Sequence, residues 1–377
     1  MDNKERTKIA FAIWDIGNTG GAQRVIGLVA NELCAEYDVH IVNLYGFPEK
    51  RGPSIPLDPR VTVAYLGRGE MPRLRQTIVE SFNPLRKYLQ DQSIDICFLQ
   101  TTYMGIIGLP IAIWNRIFGR KNRCKIVFHD HGAIGAQLGQ RSTTLIRKVS
   151  AIGSDLTIVL TERSCKDYQQ FLKIPAKKLR VVTNWIDPQI NPDGKTADLS
   201  SKTILWAGRL SEEKGALRIP EIAQMALQDI PDWQIHVYGD GPEREKLAQQ
   251  IQKSGLEEKV LLKGVSSDMY REVPRHAIGI LTSDMEGMPM FLLEATAFQQ
   301  PCVAFDVLTG PNEIINDGKT GYLIEPYDTA QFARKLRELV MDDQLREEFS
   351  RNIKTTQDKF SVAQISQRWR KLITELS

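Results

Sequence analysis

Short apolar runs that end in polar, glycine-bearing loops and then pass into helical stretches recur along this sequence. The same alternation begins afresh near residue 203. Such a pattern predicts parallel strands joined by crossover helices, since parallel neighbours need long connections and both faces of their sheet must be covered. Strands are expected at 9–14, 39–44, 61–66, 94–99, 125–128, 156–160 and 179–183. A second set is expected at 203–206, 233–238, 260–263, 278–281 and 302–305. A chain of 377 residues can support two cores of this kind. The polar segment 187–202, broken by Pro188 and Pro192, is the natural linker. The expected division is therefore 1–187, 188–360 and an amphipathic C-terminal helix within 361–377.

Composition narrows the partners. The formal net charge is only +3, so an anionic ligand must be met by a local patch. Five scattered cysteines, none in a C-x-x-C pair, point to a reducing compartment and away from structural zinc, with a cysteine nucleophile as the alternative. The N-terminus carries too short an apolar run for a signal peptide, and no apolar stretch is long enough to span a bilayer, so a cytoplasmic location is expected.

The most chemical stretch lies at 281–313. Glu286 and Glu294 stand eight residues apart, with Pro289 between them at the start of a helix expected over 290–298. The backbone N–H groups of residues 288 to 290 would be free there, and the helix dipole favours an anion. Glu294, leaning back toward the N-terminus, would reach the same end. Arg209 and Lys214 lie five residues apart in the glycine-flanked loop 207–215 and offer a fork donor and a point charge for phosphate oxygens. A nucleotide-sugar diphosphate suits the set. Asp284-Met-Glu286 has the form of a metal-binding D-x-D, yet a metal-free site is expected. No P-loop and no G-x-S-x-G elbow occurs, which weighs against a kinase and a hydrolase.

In the first half, the loop after the first strand ends in Gly20 and Gly21, with Arg24 in the following helix. It is a phosphate-friendly strand, loop and helix without the dinucleotide fingerprint. The strand at 125–128 ends in His129-Asp130-His131. Histidines at a strand's carboxyl end suit ligand hydrogen bonds better than metal, since no third ligand is near. The apolar segment 103–114 is followed by Arg116, Arg120, Lys121, Arg123 and Lys125, while Arg68, Arg73, Arg75, Arg86 and Lys87 cluster upstream. It reads either as a buried crossover helix with a solvated loop or as a face that docks on an anionic bilayer.

Four motifs, E-G-M-P-M-F-L-L-E (286–294), A-G-R-L-S-E-E-K-G (207–215), G-D-G-P (239–242) and G-G-A-Q-R (20–24), resemble those of the retaining family 4 glycosyltransferases of bacterial cell-surface glycan synthesis. The resemblance covers most of the chain and is most specific in the C-terminal half. It implies the GT-B fold: two Rossmann-like, doubly wound α/β domains facing a cleft, with the C-terminal helix crossing back to the first.

It further implies metal-independent transfer, without a cofactor, from a nucleotide-diphosphate sugar, most simply a UDP-sugar. The acceptor would be a glycan, lipid-linked or phosphorylated hydroxyl at the inner face of the plasma membrane. Arg209 and Lys214 would hold the diphosphate, Glu294 the ribose, and Glu286 with the backbone of Gly287, Met288, Pro289 and Met290 the sugar. Gly20, Gly21, Gly208, Gly239 and Gly264 would let backbone approach the donor. His131, favoured over His129, would contact the sugar near the reacting carbon, with His129, Asp130 and Arg24 on the acceptor side. One departure from the family pattern is Gln299, where a glycine is usual. The alternatives are a nucleotide-sugar epimerase of the same architecture and an inactive binding or scaffold homologue; nucleic acid is not an expected partner.

Overall fold

The computed structural model describes residues 6–18, 20–48, 52–53, 55–70, 74–118, 123–191, 193–266 and 268–377. The chain forms two compact units: residues up to 184 together with 363–377, and residues 185–362. Arg73, Arg120 and Lys121 of the expected basic clusters lie outside the described residues.

The first unit holds strands β1 (Lys8–Ile13), β2 (Asp38–Asn43), β3 (Thr62–Tyr65), β4 (Ile96–Gln100), β5 (Lys125–Asp130), β6 (Leu156–Val159) and β7 (Leu179–Val181). They form one parallel sheet in the order β3-β2-β1-β4-β5-β6-β7. Burial on both faces explains why β4 reads as an unbroken apolar run: all five of its residues are buried. The strand order reverses between β1 and β4, so their outgoing loops diverge there. Ligands of open α/β sheets bind at that point. β5 runs two residues further than its apolar pattern suggests, carrying His129 and Asp130 into the ladder.

The segment 103–114 lies within a helix, Thr102–Phe118, as a crossover element packed on the sheet. Its Gly105 faces Ser150 and Phe128, and its Gly108 faces Leu99 and Ile126, so the inner side is buried at close range. Ile113 and Ile117 on the outer side are exposed.

The second unit repeats the plan with β8 (Thr203–Ala207), β9 (Gln234–Tyr238), β10 (Val260–Gly264), β11 (Ile278–Leu281), β12 (Cys302–Phe305) and β13 (Gly321–Ile324). All are parallel in the order β10-β9-β8-β11-β12-β13, with the reversal between β8 and β11. β13 was not anticipated; a Gly-Tyr pair at its start weakens the apolar signal. The segment 187–202 belongs to this unit rather than hanging free: Asn191 donates to Ala297 O (2.8 Å) and the Ala197 N–H to Phe298 O (2.7 Å).

The C-terminal helix, Val362–Leu376, completes the first unit. Trp369 is 2% exposed and meets Phe11, Phe98 and His129 edge-on at 5.9, 5.3 and 5.5 Å between ring centroids. Arg370 bridges Glu32 and Glu36, and Arg180 pairs with Glu375. Apolar packing outweighs these partly exposed ion pairs, each worth at most about 1 kcal/mol. Trp369→Ala is therefore expected to destabilise the first unit by about 3–5 kcal/mol. Arg180→Ala is expected to cost no more than about 1 kcal/mol. Urea unfolding of the two variants would reverse this ranking if the helix were held by its charges.

Candidate active site

In the second unit, two loops leave the sheet where its order reverses: 208–215 after β8 and 282–289 after β11. Their association depends on Thr282, which is fully buried. The Trp206 indole N–H donates to Thr282 Oγ1 (2.9 Å), and that hydroxyl donates to Lys214 O (3.1 Å). Arg218 donates to Thr282 O (3.1 Å) and pairs with Asp284 (2.6 Å), while the Asp284 N–H reaches Glu213 O (2.8 Å). Burial holds the Asp284 carboxyl above its usual value despite Arg218. Gly215 has φ +64, and a Cβ there would stand 2.1 Å from Thr282 O, so glycine is what lets the Lys214 loop lie on the end of β11.

This stitching brings Lys214 to Glu286. Lys214 Nζ lies 2.7 Å from Glu286 Oε1, and Ser283 Oγ donates to the same oxygen at 2.7 Å. Glu286 is 8% exposed, and its backbone carbonyl accepts from the Thr309 hydroxyl. Gly287 and Pro289 pack against Gly310, and Met288 is buried. Pro289 is the N-cap of the helix Met290–Ala297 rather than part of its first turn. The helix is mostly apolar and is buried from Phe291 onward. The N–H groups of its first turn have no carbonyl inside the helix, so its N-terminus is a partial positive charge at the β11 exit. Glu294 lies one turn on and is 8% exposed. Arg209 is exposed on the first loop.

Gly208, Gly239 and Gly264 serve the packing of loops. Gly239 has φ +137, and a Cβ there would meet Gly208 O at 1.8 Å. The Gly208 N–H bonds Tyr238 O, and the Gly239 N–H bonds Gly264 O.

In the first unit, β5 exits beside β4. The His131 ring is partly buried, and its Nε2 lies 2.8 Å from Gln100 Oε1. Burial pushes the His131 imidazole down to about 4 against the opposing pull of Asp130. His129 and Asp130 depart from the expected acceptor-side role. His129 is 2% exposed, packed under Trp369 and against the His131 ring, and burial holds its pKa well below the usual range. Asp130 is 1% exposed and committed to Arg147 Nε (2.8 Å), the Tyr168 hydroxyl (2.7 Å), the Thr102 hydroxyl (2.9 Å) and the Gly132 N–H (3.2 Å). Strand alternation explains the split, since Asp130 projects to the face opposite its two neighbours.

Gly20 is extended, its carbonyl accepts from the Arg24 N–H (3.2 Å), and Gly21 opens the helix Gly21–Leu33. Asn43 fixes the start of that loop, accepting from the Ile16 N–H at 2.7 Å.

The sequence reading missed Arg218, Thr282, Ser283 and Gln100 as site residues. Gln100 left a signal, being a polar residue that closes an apolar run. Burial drives the thiols of Cys97 and Cys302 up to about 12, so neither is an activated nucleophile. Among the described residues, no group of three or more His, Cys, Asp or Glu side chains is placed to hold a metal ion.

Residues 19–190 match the family model described as Glycosyltransferase Family 4, and residues 189–356 match Glycosyl transferases group 1. The chain belongs to the family 4 glycosyltransferases and is a glycosyltransferase of GT-B fold. It is 26% identical over 98% of its length, and 99% of the relative's, to an α-1,4-N-acetyl-D-galactosaminyltransferase of Campylobacter jejuni that acts on a diNAcBac-PP-undecaprenol-linked glycan. It is 25% identical, over 97% of itself and 99% of the relative, to the amylovoran biosynthesis glycosyltransferase AmsD of Erwinia amylovora. An exopolysaccharide phosphotransferase of Streptomyces coelicolor is 28% identical over 98% of the chain, which spans only 41% of that longer protein. Among solved structures, sucrose-phosphate synthase from Thermosynechococcus elongatus has a TM-score of 0.84 at 16% identity, covering 98% of this chain and 99% of its own. Anabaena HepE in complex with UDP and glucose has a TM-score of 0.77 at 18% identity, covering 98% and 100%. None of these relatives is an epimerase.

The buried imidazoles make stability depend on pH. His131 and His236 are both held down to about 4, against about 6.5 for a free histidine. From about pH 6.5 down to about 4 the unfolded chain takes up protons that the folded chain refuses, so stability falls on acidification. Unfolding free energies from urea titrations at pH 7 and pH 5 are expected to differ in that direction, by up to about 1.4 kcal/mol per pH unit for each group. Equal unfolding free energies would contradict the burial of these rings.

Proposed function

We propose that this enzyme moves a sugar, with retention at the anomeric carbon, from a UDP-sugar to a hydroxyl of a lipid-linked or polymeric bacterial surface glycan. The observation that carries the reading is the Lys214–Glu286 pair beside the N-terminus of the helix Met290–Ala297, a cation and a carboxylate at one strand exit. The donor competes for both partners: its diphosphate recruits Lys214 and Arg209, and its sugar hydroxyls recruit the Glu286 carboxylate. Glu294 holds the ribose diol, and the backbone at Gly287–Met290 lies along the sugar. The C1–O bond to the diphosphate breaks as the acceptor oxygen bonds C1 on the same face, and the acceptor proton passes to the departing phosphate oxygen. Catalysis is then mainly stabilisation of leaving-group charge by two cations and a helix end, which do without a metal.

The acceptor class is supported by the Campylobacter and Erwinia relatives and by exposed apolar and basic side chains on the first unit. Among the described residues no helix is long and apolar enough to cross a membrane. Exposed Val79, Ile113, Ile117, Leu145 and Ile152 stud the helices Leu74–Asp91, Thr102–Phe118 and Arg141–Gly153, which pack against one another. Such a face, with Arg86, Lys87 and Lys148 on the same helices, suits an anionic bilayer. Co-sedimentation with phosphatidylglycerol vesicles is expected, with loss of binding in Ile113→Ser/Ile117→Ser; equal binding of that variant would refute the docking face.

Lys214→Ala is expected to fold normally and lose on the order of 100-fold or more in transfer rate, the scale of removing one leaving-group donor. A radiolabelled nucleotide-sugar transfer assay checks it, and unchanged turnover at saturating donor would remove Lys214 from the diphosphate clamp.

A further inference from the structure

Two ion pairs form where the chain leaves β8 and β11 of the second sheet. Lys214 Nζ lies 2.7 Å from Glu286 Oε1, and Arg218 Nη2 lies 2.6 Å from Asp284 Oδ1. Asp284 is also stitched to the residue before Lys214, its N–H donating to Glu213 O at 2.8 Å. The loop that carries Lys214 therefore lies beside two carboxylates. A lysine is a point charge on a flexible stem, with no geometric preference between them.

Arg218 has the geometry to separate the two. Its Nη1 donates to Thr282 O at 3.1 Å while Nη2 meets Asp284, so one planar fork takes a carbonyl and a carboxylate together. Room for it depends on Gly215, where a Cβ would stand 2.1 Å from Arg218 Nη1. The guanidinium carbon lies 5.1 Å from the centre of the Tyr327 ring and 5.9 Å from that of Phe305. Tyr327 follows β13 with φ +71, a left-handed conformation that is rare for a bulky residue, and it is 63% exposed. Strain of that kind persists where the surroundings enforce it, and it gathers at functional sites.

We propose that Arg218, held in place by the Tyr327 ring, is a positioning residue for sugar transfer: it occupies Asp284 and so leaves Lys214 to Glu286 and to the donor diphosphate. This rests on the reading of Lys214 as part of the diphosphate clamp. Arg218 acts through the carboxylate it neutralises rather than by contact with the donor. With Arg218 replaced by an apolar side chain, Asp284 becomes a bare carboxylate beside the Lys214 loop. It then competes with the diphosphate for the lysine, and both donor binding and transfer weaken.

Transfer kinetics and UDP calorimetry on the full chain test this at pH 8, about four units above the ordinary carboxylate pKa. Arg218→Met is expected to lower the donor kcat/KM about tenfold and to weaken UDP binding by a similar factor. Adding Asp284→Asn removes the competing charge. It is expected to restore both to within about threefold of wild type, because a pair removed whole leaves no lone charge. In a Lys214→Ala background, Arg218→Met is expected to change kcat/KM by less than about twofold, as for residues that act through one contact. A loss that Asp284→Asn does not rescue, or that adds in full to the Lys214→Ala loss, overturns the proposal. Tyr327→Gly suits the left-handed backbone and removes only the ring. Its urea midpoint is expected to be no lower than that of the wild type, with kcat/KM about threefold lower. This variant keeps the test decisive even if Arg218→Met does not fold, and full kcat/KM in it overturns the proposal. Wild-type UDP affinity and turnover in Lys214→Ala overturn the clamp and the sorting built on it. Full activity in Arg218→Met, in an enzyme that does need Lys214, overturns the sorting alone.

Discussion

Thr282 is the point on which the second unit's chemistry depends. It follows β11 directly, next to β8, where the strand order reverses, and its hydroxyl and carbonyl together engage Trp206, Lys214 and Arg218. Without that buried junction the loops after β8 and β11 would be two independent polar turns. With it, the Lys214 ammonium is delivered to the Glu286 carboxylate, and Gly215 is the residue that lets the backbones come this close. The Lys214 side chain is more exposed, at 27%, than the Glu286 side chain, at 9%. Glu286 is therefore the fixed member, also held by Ser283 and Thr309, and the lysine is the partner able to turn toward another anion.

The first unit solves a related problem with a buried charge. Asp130 and Arg147 are each 1% exposed, and such a pair is affordable only when the remaining lone pairs are satisfied. Tyr168, Thr102 and Gly132 do that for Asp130. The result is a rigid base from which His131 projects on the other face. Trp369, arriving from the far end of the chain, seals His129 beneath it. The Lys214–Glu286 pair and the histidine thus each stand on an interior hydrogen-bond network.

Much of the fold was legible because strand and helix periodicities are local. Alternation of apolar runs and glycine loops placed most strands of both sheets to within a residue or two. The parallel arrangement followed from the length of the connections. β13 escaped because its short run begins with glycine, and the end of β5 escaped because His129 and Asp130 look like loop residues in a sequence. Tertiary burial overrode that polarity, with Trp369 covering one and Arg147 neutralising the other. The same override turned Asp130 from an expected acceptor contact into an anchor.

By itself, the sequence determined that this chain would build two parallel α/β units, and that Arg209, Lys214, Glu286 and Glu294 would stand at strand exits. Side-chain type and spacing along a strand–loop–helix unit are enough for that. Which of these groups touch was decided only by the tertiary structure. Lys214 and Glu286 are 72 residues apart, and His131 and Gln100 are 31 apart. Pairing at such separations depends on strand order and register, and these are set by how the whole sheet buries its two faces.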